Sequence, residues 1–275
     1  MPDKKFILGV GITNATKEEI LEYIIKSLGK RDKKLFIVTP NPEILVLASK
    51  DKEYKKILNS AEIALPDGVG IIIASKILKV RLKERVTGVE LLEGLCLAIA
   101  EKPITVGFLG GRDRVAEKTA ECLRKKYPGL KVAFAGSEWP AQVDDRRLKI
   151  EDSTLKMEDG GSIYPLSSTI NNLPSIFYRL WSNIDILFVA FGAPKQEIWI
   201  SENLERLPVR VAIGVGGAFD YISGRVPRAP TLVQKLGFEW IFRLIIQPWR
   251  IKRQIALLEF AYLVFKEKIA SKKRI

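Results

Sequence analysis

At 275 residues, with 47% hydrophobic and 28% charged side chains, the chain can bury one large α/β core or a domain of about 200 residues with an appendage, and its composition excludes disorder. Having no histidine, it cannot run Ser-His-Asp or Cys-His chemistry or build imidazole metal sites, and its two cysteines, Cys96 and Cys122, support neither a disulfide framework nor a zinc site of the usual kind. The net charge is +13, no run reaches the roughly 18 apolar residues of a spanning helix, and "MPDKKFILGVGIT" is too short in apolar residues for a signal peptide, so a reducing, cytoplasmic setting is expected.

From the N-terminus, β-type runs alternate with helical periods. "FILGV" reads as a strand, and "TKEEILEYIIKSLG" as a helix with a Thr16…Glu19 capping box and Gly29 as its stop. There follow "LFIV" (35–38), a helix from Pro42, "EIAL" (62–65), a helix from Thr87 boxed by Glu90, "ITVGFLGG" (104–111), the helix "RDRVAEKTAECLRKKY", and "KVAFA" (131–135). Residues 136–183 are polar and turn-rich without a clear period and read as a long surface excursion, with a hairpin expected around Gly160-Gly161. The rhythm resumes with "DILFVAFG" (185–192), the helix "PKQEIWISENLERL" and "VRVAIGVGGAFDYISG" (209–224). Strands that are apolar throughout, separated by helices, predict a mostly parallel sheet covered on both faces, Rossmann-like, with its site at the carboxyl ends of the strands. The expected division is an α/β catalytic domain over 1–235, interrupted at about 136–183, and a C-terminal helical membrane-associating appendage over 236–275.

Most of the charge lies at the end. From Arg225 to Ile275 there are twelve Lys or Arg against three Glu, a net +9, which predicts a polyanionic partner there. In "GFEWIFRLIIQPWRIKRQIALLEFAYLVFKEKIASKKRI" the aromatics Trp240, Phe242, Trp249, Phe260, Tyr262 and Phe265 alternate with basic residues. Two readings stand side by side: an amphipathic helix in a lipid headgroup region, or a helix pair closing the core with its cations in solvent.

Four loops carry polar residues that packing does not need. In "TPNPE", Thr39 and Asn41 end a strand and either cap the next helix or line a site. In "LPDGV", Asp67 is either a helix N-cap or a base whose apolar surroundings raise its pKa toward neutrality. "FGAPKQE" sets Lys195 and Gln196 at a helix start that favours an anion. "GVGGAFDYISG" brings glycines 214, 216 and 217 for close approach of phosphates and Asp220 for a ribose hydroxyl. Arg85 is either a phosphate-binding cation or a surface charge ahead of a helix cap. None of the glycine stretches meets the full G-x-G-x-x-G spacing with its acidic residue, which disfavours a nicotinamide enzyme, although "GFLGGRDR" keeps that alternative. Neither a Walker A pattern nor a D-x-D pair after a strand occurs. Acid–base work therefore falls to a carboxylate, and phosphate charge to Arg, Lys and backbone.

Taken in order, "TPNPEILVLASKD" (39–51), "ALPDGVGIIIASKIL" (64–78), "RVTGVELLEGL" (85–95), "VGFLGG" (106–111), "DILFVAFGAPKQEIWI" (185–200), "GVGGAFDYISGRVPRAP" (214–230) and "LGFEWIFRLIIQPWRIKRQ" (236–254) resemble the WecG/TagA/CpsF bacterial glycosyltransferases, glycosyltransferase family 26. The resemblance covers most of the chain outside 136–183. It implies inverting transfer of an N-acetylmannosamine-type sugar from a UDP donor to undecaprenyl-diphosphate-linked N-acetylglucosamine, without cofactor or required metal. The setting it implies is cell-surface polysaccharide or teichoic acid synthesis.

On the same resemblance Asp67 is the general base and Thr39, Asn41, Arg85 and Gln196 line the substrate pocket. Asp220 falls in the block assigned to the donor nucleotide. Arg243, Arg250 and Arg253 match arginines of a C-terminal segment that docks on the membrane and completes the site. Their seven- and three-residue spacings share one helical side if the helix is unbroken, and Pro248 threatens that; their guanidinium groups would hold a diphosphate. Expected partners are therefore the UDP-sugar donor, the polyprenyl-diphosphate-linked acceptor and, through the tail, the anionic inner face of the plasma membrane, with no nucleic acid. The 136–183 segment is longer than the resemblance implies, so the donor sugar is left open. The alternative from another class is a non-catalytic α/β membrane- or nucleic-acid-binding protein.

Overall fold

The fold is that of a computed structural model describing residues 2–29, 34–138, 184–235, 238–248 and 251–272. The expected hairpin around Gly160-Gly161 lies outside these residues.

The first run departs from expectation. "FILGV" is not one strand of the main sheet: β1 (Lys4–Ile7) and β2 (Val10–Thr13) pair antiparallel as a separate two-stranded hairpin. Its turn residues Leu8 and Gly9 both have positive φ, 51° and 77°, the two-residue geometry whose twist matches the flanking strands. A period-two apolar pattern cannot separate a strand that continues from one that folds back. Helix α1 (Lys17–Leu28) carries the Thr16/Glu19 capping box in both directions.

The remaining elements are β3 (Leu35–Val38), α2 (Pro42–Lys50), α3 (Lys52–Ser60), β4 (Ile63–Ala64), α4 (Val69–Ile77), α5 (Gly88–Ile99), β5 (Thr105–Gly110), α6 (Val115–Lys126), β6 (Lys131–Gly136), β7 (Ile184–Ala190), α7 (Lys195–Asn203), β8 (Val209–Gly214), α8 (Ala218–Ile222), α9 (Thr231–Lys235), α10 (Glu239–Ile246) and α11 (Ile251–Lys272). Six strands form one all-parallel sheet in the order β4-β3-β8-β7-β5-β6. In "LFIV", Leu35 and Ile37 join the apolar layer shared with α1, α5, α6 and α8, while Phe36 and Val38 join the layer shared with α2, α3, α4, α7 and α11. Both faces of the strand are buried, so its alternation is geometric and invisible as polarity.

This layering locates the crevice. Strands β3 and β8 are neighbours, yet α2 after β3 packs on one face and α8 after β8 on the other. Connections that leave adjacent parallel strands toward opposite faces open a gap at their carboxyl ends.

At the C-terminus α10 ends at Ile246 and α11 begins at Ile251. Gln247, which precedes Pro248, has φ −126° and ψ 74°, the non-helical bias that proline imposes on its predecessor. Helix α11 lies across α2 and α4, burying Phe260 and Val264 in the body's core. It is pinned further by Lys50 Nζ to Glu259 (2.7 Å) and by Leu8 N–H to Glu267 Oε2 (2.9 Å). Its opposite side exposes Ile251, Ile255, Leu258, Tyr262, Phe265 and Ile269, in alternating steps of four and three. Such a stripe is one helical face. The core-closing reading of this segment thus holds for one side of α11, while its other side leaves an apolar stripe exposed. Among the described residues no helix is long and apolar enough to cross a membrane.

Candidate active site

The crevice at the β3/β8 edge opens into a cleft of about 690 Å³ whose walls come from the loops after β3, β4, β7 and β8 and from α4, α10 and α11. That is ample for a sugar nucleotide by the usual size of ligand sites. Thr39, Asn41, Asp67, Arg85, Gln196 and Arg243 all line it.

Asp67 is held by backbone geometry. Past the short β4, pairing with the β3 side continues as Leu65 N–H donates to Val38 O (2.8 Å) and Asp67 N–H to Pro40 O (2.9 Å). Gly68 then turns the chain at φ +94°, a conformation that a side chain would strain, and starts α4. Asp67 does not cap α4: the N-cap is Gly68, with no side-chain cap bond. Its Oδ2 instead accepts from Gly88 N–H at 3.4 Å, at the first turn of α5. The carboxyl is partly exposed on the cleft side and otherwise enclosed. Burial pushes its pKa up to about 7, against the pull of the Gly88 N–H and of Arg85. Glu239 of α10 and Glu90 push in the same direction as burial.

The neighbouring polar groups divide by what they touch. Asn41 is the N-cap of α2, its side chain accepting from Ile44 N–H at 3.0 Å, so the capping reading holds for it while it also borders the cleft. Thr39 Oγ1 donates to Gly214 O (2.9 Å), tying the ends of β3 and β8 together. Arg85 stands 3.6 Å from Glu90, with about a fifth of its side chain exposed. Gln196 is 1% exposed, and its Oε1 accepts from Gly192 N–H (3.2 Å) and Gly216 N–H (3.0 Å). Lys195 is exposed on the first turn of α7 and does not line the cleft.

Arg243 reaches the cleft from α10. Its Nη2 is 3.3 Å from Asp220 Oδ2, and its guanidinium lies 4.8 Å over the Tyr221 ring. The guanidinium lies against the bare backbone of Gly217: a Cβ there would come within 2.9 Å of Arg243 Nη1 and make it shift. Asp220 does not itself line the cleft and meets it through Arg243. Arg243 and Arg253 fall on separate helices, α10 and α11, so the spacing argument for one shared helical side fails at Pro248. Arg250 lies outside the described residues, and for Arg253 only the backbone is described.

The comparison that decides the family is a match of residues 6–154 and 181–274 to the model of the glycosyl transferase WecG/TagA/CpsF family. The chain belongs to that family. The chain spans most of the length of the curated relatives it matches. The N-acetylglucosaminyldiphosphoundecaprenol N-acetyl-beta-D-mannosaminyltransferase of Bacillus subtilis (strain 168) is 30% identical over 95% of this chain and 91% of its own. Proteins with that same name from Bacillus spizizenii (strain ATCC 23059 / NRRL B-14472 / W23) and Staphylococcus aureus (strain MRSA252) are 31% identical over 88% of this chain and 83% of the relative, and 32% identical over 97% and 94%. The family match resumes at 181 and runs through the C-terminal helices to 274, so these helices are part of the family pattern.

Four contributors escaped the sequence reading: Gly88, whose N–H meets Asp67, Glu239, Tyr221 and Glu197. For Glu197 a signal existed, a second polar residue directly after Gln196 in "PKQE" on a helix whose next turn is apolar. For the other three the contact partner is distant in sequence and no local pattern marks it.

Proposed function

We propose that the chain transfers an N-acetylmannosamine-type sugar from a UDP donor to undecaprenyl-diphosphate-linked N-acetylglucosamine, with inversion, in cell-surface polysaccharide or teichoic acid synthesis. The observation that carries this reading is Asp67: a carboxyl held past the carboxyl end of β4, beside the β3/β8 crevice and lining the cleft, with a pKa raised by burial to about 7. A base of that strength is half ionised at neutral pH and still basic enough to take a proton.

In the proposed step an acceptor hydroxyl gives its proton to Asp67 while its oxygen attacks the anomeric carbon from the face opposite UDP. The new carbon–oxygen bond forms as the bond to the β-phosphate oxygen breaks, and the departing charge stays on UDP. Arg243, and with it Arg250 and Arg253, would neutralise that charge through paired N–H donors, with no metal required. Thr39, Asn41, Arg85 and Gln196 shape the pocket, and Asp220, which does not itself line the cleft, serves the donor through Arg243.

The lipid part of the acceptor has apolar walls to meet: Ile73 and Ile77 of α4, Trp240 and Leu244 of α10, Leu257 and Phe265 of α11. The exposed stripe of α11 together with Phe238, Trp240 and Ile245 supports peripheral docking on an anionic membrane, at its cytoplasmic face. The test is a screen of UDP-sugars against a short-chain lipid-diphosphate-N-acetylglucosamine acceptor. Turnover with UDP-N-acetylmannosamine is expected, and absence of transfer from every UDP-sugar would overturn the reading.

A further inference from the structure

One buried ionisable group has no part in the proposed step. Glu197, 0% exposed, follows Gln196 on α7 and faces away from the cleft that Gln196 borders. Its Oε1 accepts from Gln196 Nε2 at 2.7 Å, and its Oε2 accepts from the hydroxyl of Tyr54, itself 2% exposed on α3, at 3.1 Å. A buried carboxylate without a cation is costly unless donors surround it. Here two side-chain donors and a backbone N–H do so.

The consequence lies one bond further on. An amide side chain can be turned end for end with little change of shape, exchanging its oxygen and its NH2. Burial pushes the Glu197 pKa up against the pull of these donors, and its Oε1 accepts at 2.7 Å, so the NH2 of Gln196 faces Glu197 and the amide oxygen faces the other way. That oxygen then takes the N–H of Gly192 and the N–H of Gly216, which belong to the loops after β7 and β8. With Thr39 Oγ1 on Gly214 O, the loop after β8 is fastened on both sides.

We infer that Glu197 is a positioning residue, backed by Tyr54, which fixes the orientation of the Gln196 amide so that this amide brackets the two glycine loops bordering the cleft. The inference rests on the function proposed above for what the loops bind. It assigns Gln196 an action through backbone and not through a direct contact with the substrate.

Reversing the polarity of the pair tests it. Gln196→Glu alone sets two carboxylates against each other; combined with Glu197→Gln, the side-chain hydrogen bonds of the pair and those to the two loops are available again. The new carboxylate then accepts from Gly192, Gly216 and the new amide, and that amide's oxygen accepts from Tyr54. Expected for Q196E are a loss of transfer of about 100-fold, as for a misplaced site, weaker UDP binding by calorimetry, and faster amide exchange in peptides covering 190–193 and 214–218. The double variant is expected to recover exchange protection and UDP affinity and to return turnover to within about tenfold of the parent, the range of a small residual misplacement. Tyr54→Phe should raise exchange in the same two peptides.

A double variant that melts like the parent but stays as defective as Q196E in exchange would overturn the bracket. Recovery of exchange without recovery of UDP affinity or turnover would overturn it in favour of direct contact by Gln196. Exchange is read without turnover, so absence of sugar transfer in the parent chain would count against the proposed function and leave the bracket to be judged on exchange alone.

Discussion

Arg243 of α10 and Asp220 of α8 meet at 3.3 Å, with the guanidinium over the Tyr221 ring at 4.8 Å. The C-terminal helices are thereby fastened to the loop region after β8 by a cation that also borders the cleft. In the proposed function this cation serves the diphosphate of the donor, and the carboxylate, which does not itself line the cleft, holds the guanidinium in place.

Arg243→Ala is expected to lower kcat/KM by about 100-fold, the scale of losing one well-placed charge donor, while changing Tm by only a few degrees, since a partly exposed ion pair contributes about 1 kcal/mol or less. Arg243→Lys should recover little. Lysine neither stacks flat on Tyr221 nor offers a planar fork. Steady-state kinetics beside a thermal melt checks both.

Asp67→Asn keeps the size of the side chain and removes the base. Transfer is expected to fall by about 10² to 10⁴-fold, the usual contribution of a general base, with UDP binding preserved. Turnover within tenfold of the parent would remove Asp67 from that role.

The pH dependence has a definite sign. Asp67 must be ionised to accept a proton, so kcat/KM should rise with pH through about 7 and level off above. Stability runs the other way. The folded pKa is raised above the unfolded one, so the folded state holds the proton more tightly; the associated stability is full below about pH 4 and is lost as pH rises through about 7. Asp67→Asn should therefore be more stable than the parent by up to about 4 kcal/mol at pH 8, the linkage value for a carboxyl moved from its ordinary 3.8 to about 7, with little such advantage at pH 4. Glu239→Gln removes a negative neighbour and should move the activity limb to lower pH. A limb unmoved in that variant would disconnect α10 from the base.

The two sides of α11 should separate in experiment. Phe260→Ala opens the core and is expected to cost about 3–5 kcal/mol in denaturant unfolding. Leu258→Glu with Tyr262→Glu changes only the exposed stripe, and should leave Tm within a few degrees while releasing the protein from anionic liposomes in a flotation assay. Removal of residues 238–275 strips Phe260 and Val264 from the core, so that truncation should destabilise the body as well as end liposome binding.

Turnover is expected to be nearly unchanged by chelator, since arginines take the phosphate charge in the proposed step. A strict requirement for added magnesium, measured after chelation, would overturn that assignment.

The sequence by itself determined what depends on neighbours along the chain. Capping boxes at Thr16/Glu19 and Thr87/Glu90 are three-residue devices and formed as read. The all-parallel sheet follows from doubly buried strands such as "LFIV", and Asp67 stood out because an ionisable group followed an apolar strand. Family motifs brought the cleft residues together as one set before any distance was known.

Only the tertiary structure decided which of several local meanings each residue takes. Asn41 caps its helix and Asp67 does not, although both precede helices, because the N–H nearest the Asp67 carboxylate belongs to Gly88, twenty-one residues away. "FILGV" folds back as a hairpin because a positive-φ turn at Leu8-Gly9 leaves the alternation intact. The basic aromatic tail is both a core helix and an exposed stripe, since a helix 22 residues long has room for two apolar faces and the sequence does not say which one meets the body. Burial, and with it the strength of Asp67 as a base and the fixed amide of Gln196, is set by atoms that approach from elsewhere in the chain.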